Sequence, residues 1–152
     1  MALSVKLMLD SYVLDEQVLN VEIPDPIKDK TISLRKNAVT TISASADDAS
    51  LTVGDLLQLA NINGNNVFEA TAADENTVLG VVVKYEVMNP EVLVDRIDTG
   101  ADFATTGTIT VKGNADSEFV GEKTVKVKVT VSYDYGTDRV HNLDIKVKQK
   151  AN

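Results

Sequence analysis

Apolar and polar residues alternate most regularly between residues 124 and 149. Apolar side chains recur there at every second position, as they do in a β-strand with one buried face. The positions are Val125, Val127, Val129, Val131 and Tyr133, then Leu143, Ile145 and Val147. A polar segment around Gly136 separates the two runs. The pattern predicts an antiparallel hairpin with one face in the core and the other in solvent.

The solvent face of this predicted hairpin is rich in lysine. Its lysines are Lys126, Lys128, Lys146 and Lys148. Lysine side chains on a sheet discourage edge-to-edge aggregation, and we expect that protective role here. The alternative is a contact with a capsid, a lipid or another partner, so the four lysines are also candidate partner-binding residues.

Residues 1–23 contain a second alternating pattern, which ends where Pro24 and Pro26 interrupt it. The apolar positions in phase are Leu3, Val5, Leu7 and Leu9, then Leu19, Val21 and Ile23. The segment predicts strands, which form either an extended N-terminal arm or the first strands of the main sheet. We therefore expect an arm or first strands over residues 1–23 and a body over residues 31–152, within a single domain overall.

The middle of the chain predicts a meander of short strands. The apolar runs Leu56–Leu59, Val67–Ala70 and Leu79–Val87 are separated by turn residues at Asn61–Asn66 and Asp74–Thr77. No segment of 11 residues or more keeps a helical period, so we expect little helix. Ten to twelve short strands indicate an all-β fold, either an antiparallel β-sandwich or a β-barrel. In that fold the central meander and the last hairpin would supply the two halves.

Composition narrows the class of protein. A chain of 152 residues is typical of one domain, and 43% of the residues are apolar. The chain has no cysteine, which excludes disulfides, thiolate metal sites and cysteine nucleophiles. Aromatic residues make up 5%, so Val, Leu and Ile must fill the core, which favours a sandwich over a deep ring-lined pocket.

The net charge of −8 is concentrated in the middle of the chain, where residues 37–111 contain 2 basic and 11 acidic side chains. An acidic surface repels nucleic acid. No stretch approaches the ~20 apolar residues that a membrane helix needs. We therefore expect neither nucleic acid nor a membrane as partner. Lys6 and Asp10 interrupt the first apolar run, which is too short for a signal peptide, so we expect cytoplasmic synthesis.

The residues that usually carry chemistry are sparse. His141 is the single histidine, and no G-x-S-x-G motif accompanies it. Calcium is the metal to consider, because Asn61, Asn63 and Asn65 alternate in one loop and Asp95, Asp98 and Asp102 lie on another turn. An EF-hand loop needs Gly and Glu where this chain has Asn66 and Ala72, so a turn is the better interpretation. We expect no catalytic site, no metal and no cofactor, and hence no enzyme.

The central stretch resembles the small head-decoration, or capsid cement, proteins of tailed bacteriophages. The matching positions are Val53, Gly54 and Asp55, then Leu56–Leu59, Gly64, Ala70–Asp74 and Leu79–Val83. The resemblance implies a structural virion protein, made in the host cytoplasm, that sits on the capsid surface and staples neighbouring subunits, often as a trimer. It implies the major capsid protein or other virion subunits as partners. The N-terminal positions Leu3, Val5, Leu7, Leu9, Leu19, Val21 and Ile23 are then candidate contacts.

The rest of the chain matches only general β-sandwich modules, so other interpretations stay open. One is another phage structural subunit, such as a tail-tube protein or the base of a head fibre. Another is an Ig-like surface module that binds through loops such as Asn61–Asn66 and Asp98–Gly107.

Overall fold

A computed structural model describes residues 2–94, 96–113 and 121–149. They form eleven strands and two short α-helices. The strands are β1 (Ala2–Leu9), β2 (Tyr12–Asn20), β3 (Ser33–Leu34), β4 (Thr41–Ala44), β5 (Ala49–Thr52), β6 (Leu57–Gln58), β7 (Val81–Val87), β8 (Ile97–Asp98), β9 (Thr108–Val111), β10 (Gly121–Tyr133) and β11 (Arg139–Gln149). The helices are α1 (Ala73–Leu79) and α2 (Phe103–Thr106), and 3₁₀ turns lie at Val53–Leu56, Ala70–Ala72 and Pro90–Val92.

The largest sheet has the order β4-β11-β10-β7. Strand β10 pairs antiparallel with both β11 and β7, while β4 joins β11 in parallel. The alternating apolar side chains of β10 and β11 are buried, and the intervening lysines point away from the core. The predicted hairpin is therefore confirmed. Its register is strongly specified, because a slip of one residue would expose the whole apolar set.

A three-stranded sheet of order β5-β9-β8 and the short pair β3-β6 complete the body. Ile97, Ile109 and Leu57 from these strands belong to the same buried cluster as Val127 and Ile145 from the large sheet. The sheets therefore share one core, built almost entirely from aliphatic side chains. This architecture confirms the all-β fold with little helix.

The central stretch differs from the predicted meander. Leu79–Val87 contains a strand as expected, but Val67–Ala70 contains none, and helix α1 replaces the turn predicted at Asp74–Thr77. Asp74 and Glu75 lie in the first turn of α1, where acidic side chains favour the helix dipole. The central stretch also does not form a separate half of the fold, because β7 pairs with β10 in the same sheet as the last hairpin.

Strands β1 and β2 form a two-stranded sheet of their own. We call residues 2–20 the N-terminal hairpin. Among the described residues it shares no sheet with the strands of the body. Within the part of the chain that the structure describes, no helix has the length and apolar character to cross a membrane.

Candidate interaction surface

The N-terminal hairpin exposes every one of its strand residues. Its two strands pair from Ala2 opposite Asn20 to Leu9 opposite Tyr12, and the register skips Leu14 at a bulge. With seven steps of about 3.4 Å along β1, the hairpin is about 24 Å long. A two-stranded hairpin is marginally stable alone in water, so such an element normally packs against something else.

One face of the hairpin has apolar side chains at six of its eight paired positions. Residues directly opposite each other on antiparallel strands share a face, and the register pairs Leu3 with Leu19 and Leu9 with Tyr12. We call the set Leu3, Val5, Leu7, Leu9, Tyr12 and Leu19 the apolar hairpin face. These six side chains are 47% to 73% exposed. Since full burial of such a side chain contributes ~1.5–3 kcal/mol, covering the half-exposed face contributes about 5–9 kcal/mol.

The opposite face of the hairpin is mixed. The Ser4 hydroxyl donates to Glu16 Oε1 at 2.6 Å, and Lys6 lies across from Glu16 in the register. Met8 and Val18 are exposed on the same face. The hairpin is therefore amphipathic, with its polar contacts on the face away from the apolar set.

Residues 24–30, which follow the N-terminal hairpin along the chain, are tied to the facing ends of β10 and β11. Arg139 donates to the carbonyl oxygens of Lys30 at 2.7 Å and Ile27 at 3.1 Å, and its guanidinium lies 3.9 Å from Asp25. The Tyr133 hydroxyl donates to the Pro24 carbonyl at 3.1 Å. Ile27 is fully buried. The body thus holds the segment immediately after the hairpin at a defined position.

The seven predicted N-terminal contact residues fall mostly on this surface. Leu3, Val5, Leu7, Leu9 and Leu19 lie on the apolar hairpin face, as the register requires. Val21 is exposed and Ile23 is half-buried, and both follow the end of β2. The sequence-based prediction missed Tyr12, which lies at the tip. The sequence signal that could have found Tyr12 is the Asp10–Ser11 pair, whose residue types are typical of a turn. In the structure Asp10 has a φ of 51°, and Tyr12 after the turn lies opposite Leu9.

The predicted lysine contacts lie on the solvent face of the large sheet, where acidic residues face them. The register places Lys126 opposite Asp144 and Lys128 opposite Glu86. Lys148 Nζ is 3.7 Å from Glu122 Oε2, and both side chains are about half exposed. Lys146 lies opposite Thr124. The face is therefore charge-mixed rather than basic, which favours the protective interpretation of the lysines over a partner contact.

The loop that was considered for calcium is a turn closed by an isolated antiparallel bridge from Ala60 to Asn66. The side-chain amides of Asn61 and Asn65 donate to Glu75 Oε2 at 2.9 and 2.7 Å, and that of Asn63 donates to Glu75 Oε1. The Asn65 amide, followed by those of Asn61 and Asn63, lowers the pKa of Glu75. This carboxylate ties the loop to α1. The EF-hand comparison missed it, because Glu75 comes three residues after the position tested.

The other residues considered for chemistry are not gathered. His141 lies within β11 opposite Val129. Asp98 accepts the Gly100 N–H at 3.0 Å, and Asp95 lies outside the described residues. Across residues 2–94, 96–113 and 121–149, no group of three or more His, Asp or Glu side chains is arranged to hold a metal ion.

The body also has an open groove of about 660 Å³ between Lys30, Arg35, Gln58 and Glu69. Its two cations are already engaged. Lys30 Nζ donates to the Asn61 carbonyl at 2.8 Å, and Arg35 contacts Glu69 at 3.1 Å. Both cations therefore have partners within the body, although only Arg35 faces a carboxylate, and the N-terminal hairpin with its exposed apolar side chains is the better candidate surface. The amino-acid sequence matches no protein-family model and no curated protein.

Proposed function

We propose that this chain is a structural virion subunit that decorates and stabilises a phage capsid by binding the outer shell lattice. The single observation that carries the protein-binding part of the proposal is the N-terminal hairpin, which is exposed along its whole length and is joined to a segment, residues 24–30, that the body holds. The capsid as the assembly comes from the resemblance of the central stretch to head-decoration proteins.

The hairpin is suited to attachment. Ten of its apolar side chains are exposed. Each gains about 1 kcal/mol when its remaining half is covered, so a shell contact that covers Met8, Val13 and Val18 on the mixed face contributes about 3 kcal/mol. Among the described residues no further strand pairs with the outer edge of β1 or β2, and such edges add backbone hydrogen bonds to an adjoining sheet. Attachment by a hairpin leaves the body outside the lattice as a rigid cap.

No side-chain chemistry is needed for this function. Its partners are the major capsid protein or other virion subunits, and turnover of a substrate has no part in it. Replacement of His141 by alanine should leave the protein's properties unchanged. An activity that this replacement removes would instead point to an enzyme.

The proposal is tested by co-sedimentation of the protein with purified, undecorated shells. The full chain should sediment with the shells, whereas a chain that lacks residues 1–23 should fold and stay in the supernatant. That deletion keeps Pro24, Asp25 and Ile27, so the anchoring contacts of the body survive. The matched control replaces Lys126 and Lys148 by alanine, which changes the solvent face of the body and leaves the hairpin intact.

Several results would contradict the proposal. Full binding by the truncated chain would show that the hairpin is not the attachment element. Failure of the full chain to bind shells would remove the capsid function itself. Hairpin-dependent binding to purified tails, without binding to shells, would favour a tail or fibre subunit. Loss of binding on substitution in the Asn61–Asn66 loop alone would favour the surface-module interpretation.

A further inference from the structure

We propose that the apolar hairpin face binds the same face of a second copy of this chain, with the two hairpins stacked root to tip about a two-fold axis. This inference goes beyond capsid binding, and it concerns one face of the hairpin only. The opposite face and the strand edges stay free for a shell.

The apolar hairpin face consists of four rows of cross-strand pairs. From root to tip they are Leu3 with Leu19, Val5 with Gln17, Leu7 with Asp15, and Leu9 with Tyr12. The two outer rows are wholly apolar, and each inner row has one polar residue, on β2. Stacked sheets pack about 10 Å apart with their side chains interdigitated, and the exposed side chains of this face can pack in that way.

Asp15 and Gln17, the two polar residues of the face, favour a second copy of the chain as the partner and determine how it is oriented. The two-fold axis lies midway between the two stacked hairpins, parallel to their planes and perpendicular to their strands, at the level between the two inner rows. It places β2 over β2 and reverses its direction. Gln17 of each copy then lies over Asp15 of the other copy. Asp15 Oδ1 already accepts the Glu16 N–H at 2.8 Å, which leaves Oδ2 to accept the Gln17 amide. The face thus satisfies its own polar groups when it meets itself, as a self-complementary interface requires.

The remaining rows agree with the same arrangement. Leu3 would lie over Leu9, Leu19 over Tyr12, and Val5 over Leu7. A shallow depression of about 120 Å³ lies at the centre of the face between Val5, Leu7, Asp15 and Gln17, where side chains of the second copy would pack.

The extent of the face is sufficient for association. Two copies cover twelve apolar side chains, which doubles the contribution of a single face. That total is comparable with the translational, rotational and side-chain freedom that two proteins lose on binding. In a solution of this protein alone, a second copy is the partner that is always present, and its apolar hairpin face can cover the exposed face of the first copy.

The mass of the full chain, measured by sedimentation equilibrium over a concentration series, tests the pairing. We expect it to rise from 16.4 kDa toward twice that value. Val5→Asp puts a carboxylate into the interface of both copies and should weaken association at least about tenfold. Val18→Asp is the matched control, since Val18 is also an exposed strand valine but lies on the opposite face, and it should leave association unchanged. Both variants should keep the unfolding temperature of the body.

The orientation is tested by cross-linking, because the chain has no cysteine of its own. In a mixture of Leu3→Cys and Leu9→Cys chains, the two thiols of a stacked pair lie across an intersheet spacing of about 10 Å, within reach of a short bismaleimide. Two Leu3→Cys chains would place their thiols about 20 Å apart along the strands. We expect covalent dimers in the mixture and few in either variant alone.

Three results would overturn the inference. They are a monomer at every soluble concentration, equal loss of association by Val5→Asp and Val18→Asp, and efficient cross-linking of Leu3→Cys with itself. A monomer that still binds shells through its hairpin would refute the pairing and leave the capsid function standing. A dimer that binds no shells would support the pairing and refute the capsid function.

Discussion

The Arg139 anchor gives the most quantitative prediction. The guanidinium of Arg139 donates to the carbonyls of Lys30, Ile27 and Thr137, and it faces Asp25. Arg139→Met keeps the apolar stem but removes every donor. A hydrogen bond from a charged donor contributes about 1.5 kcal/mol, so the loss of the Lys30 and Ile27 bonds should lower the free energy of unfolding by about 3 kcal/mol. At about 2–4 °C per kcal/mol, the unfolding temperature should fall by about 6–12 °C.

The control for this prediction is Lys148→Met. Lys148 also contacts an acid, but its partner Glu122 is 3.7 Å away and both side chains are about half exposed. Exposed pairs of this kind contribute ~0–1 kcal/mol, so this replacement should be nearly neutral. Urea unfolding followed by far-ultraviolet circular dichroism measures both variants. A loss of less than about 1 kcal/mol for Arg139→Met would refute the view that this side chain holds residues 25–30 against the body.

Two other predictions concern the body. Gly107 has a φ of 62°, and a Cβ there would come within 2.9 Å of the Tyr85 ring, so Gly107→Ala should lower the free energy of unfolding by about 2–5 kcal/mol. Gly64 also has a positive φ but has open space around it, so Gly64→Ala should lower the free energy of unfolding by only about 1–2 kcal/mol. Thermal unfolding compares them, and equal losses would mean that the Tyr85 contact is unimportant. The pKa of Glu75 is lowered in the folded state, so its ionised form stabilises the fold above the ordinary pKa of 4.5, and that stabilisation is lost as the pH falls through the lower folded value. The free energy of unfolding of Glu75→Gln should therefore fall less than that of the unsubstituted chain as the pH is lowered between those two pKa values. An equal fall in both proteins would contradict the role of the asparagine cluster.

The last hairpin could be predicted from the sequence because one of its faces is buried. Val125, Val127, Val129 and Val131 alternate with polar residues, and only one register hides all four of them. The helix α1 could not be predicted in the same way, because its seven residues are too short to show a helical period. Glu75 in its first turn accepts hydrogen bonds from asparagines in a loop ten or more residues earlier, a contact that local sequence does not indicate.

The candidate surface could be predicted only in part. Alternation at Leu3 to Leu9 indicates a strand with two unlike faces, but it does not say what covers the apolar one. The register then puts Leu19 beside Leu3, which two separate runs in the sequence do not reveal. The acids opposite Lys126 and Lys128 were equally hidden, because Glu86 and Asp144 are far from them along the chain.

The central claim is that the chain acts on other proteins through its N-terminal hairpin. A cryo-electron microscopy reconstruction of shells decorated with the full chain tests it most directly. The account predicts density for residues 2–20 packed against neighbouring subunits, with the body further out. Density in which the body or its loops touch the shell, while the hairpin points into solvent without a neighbour, would contradict it.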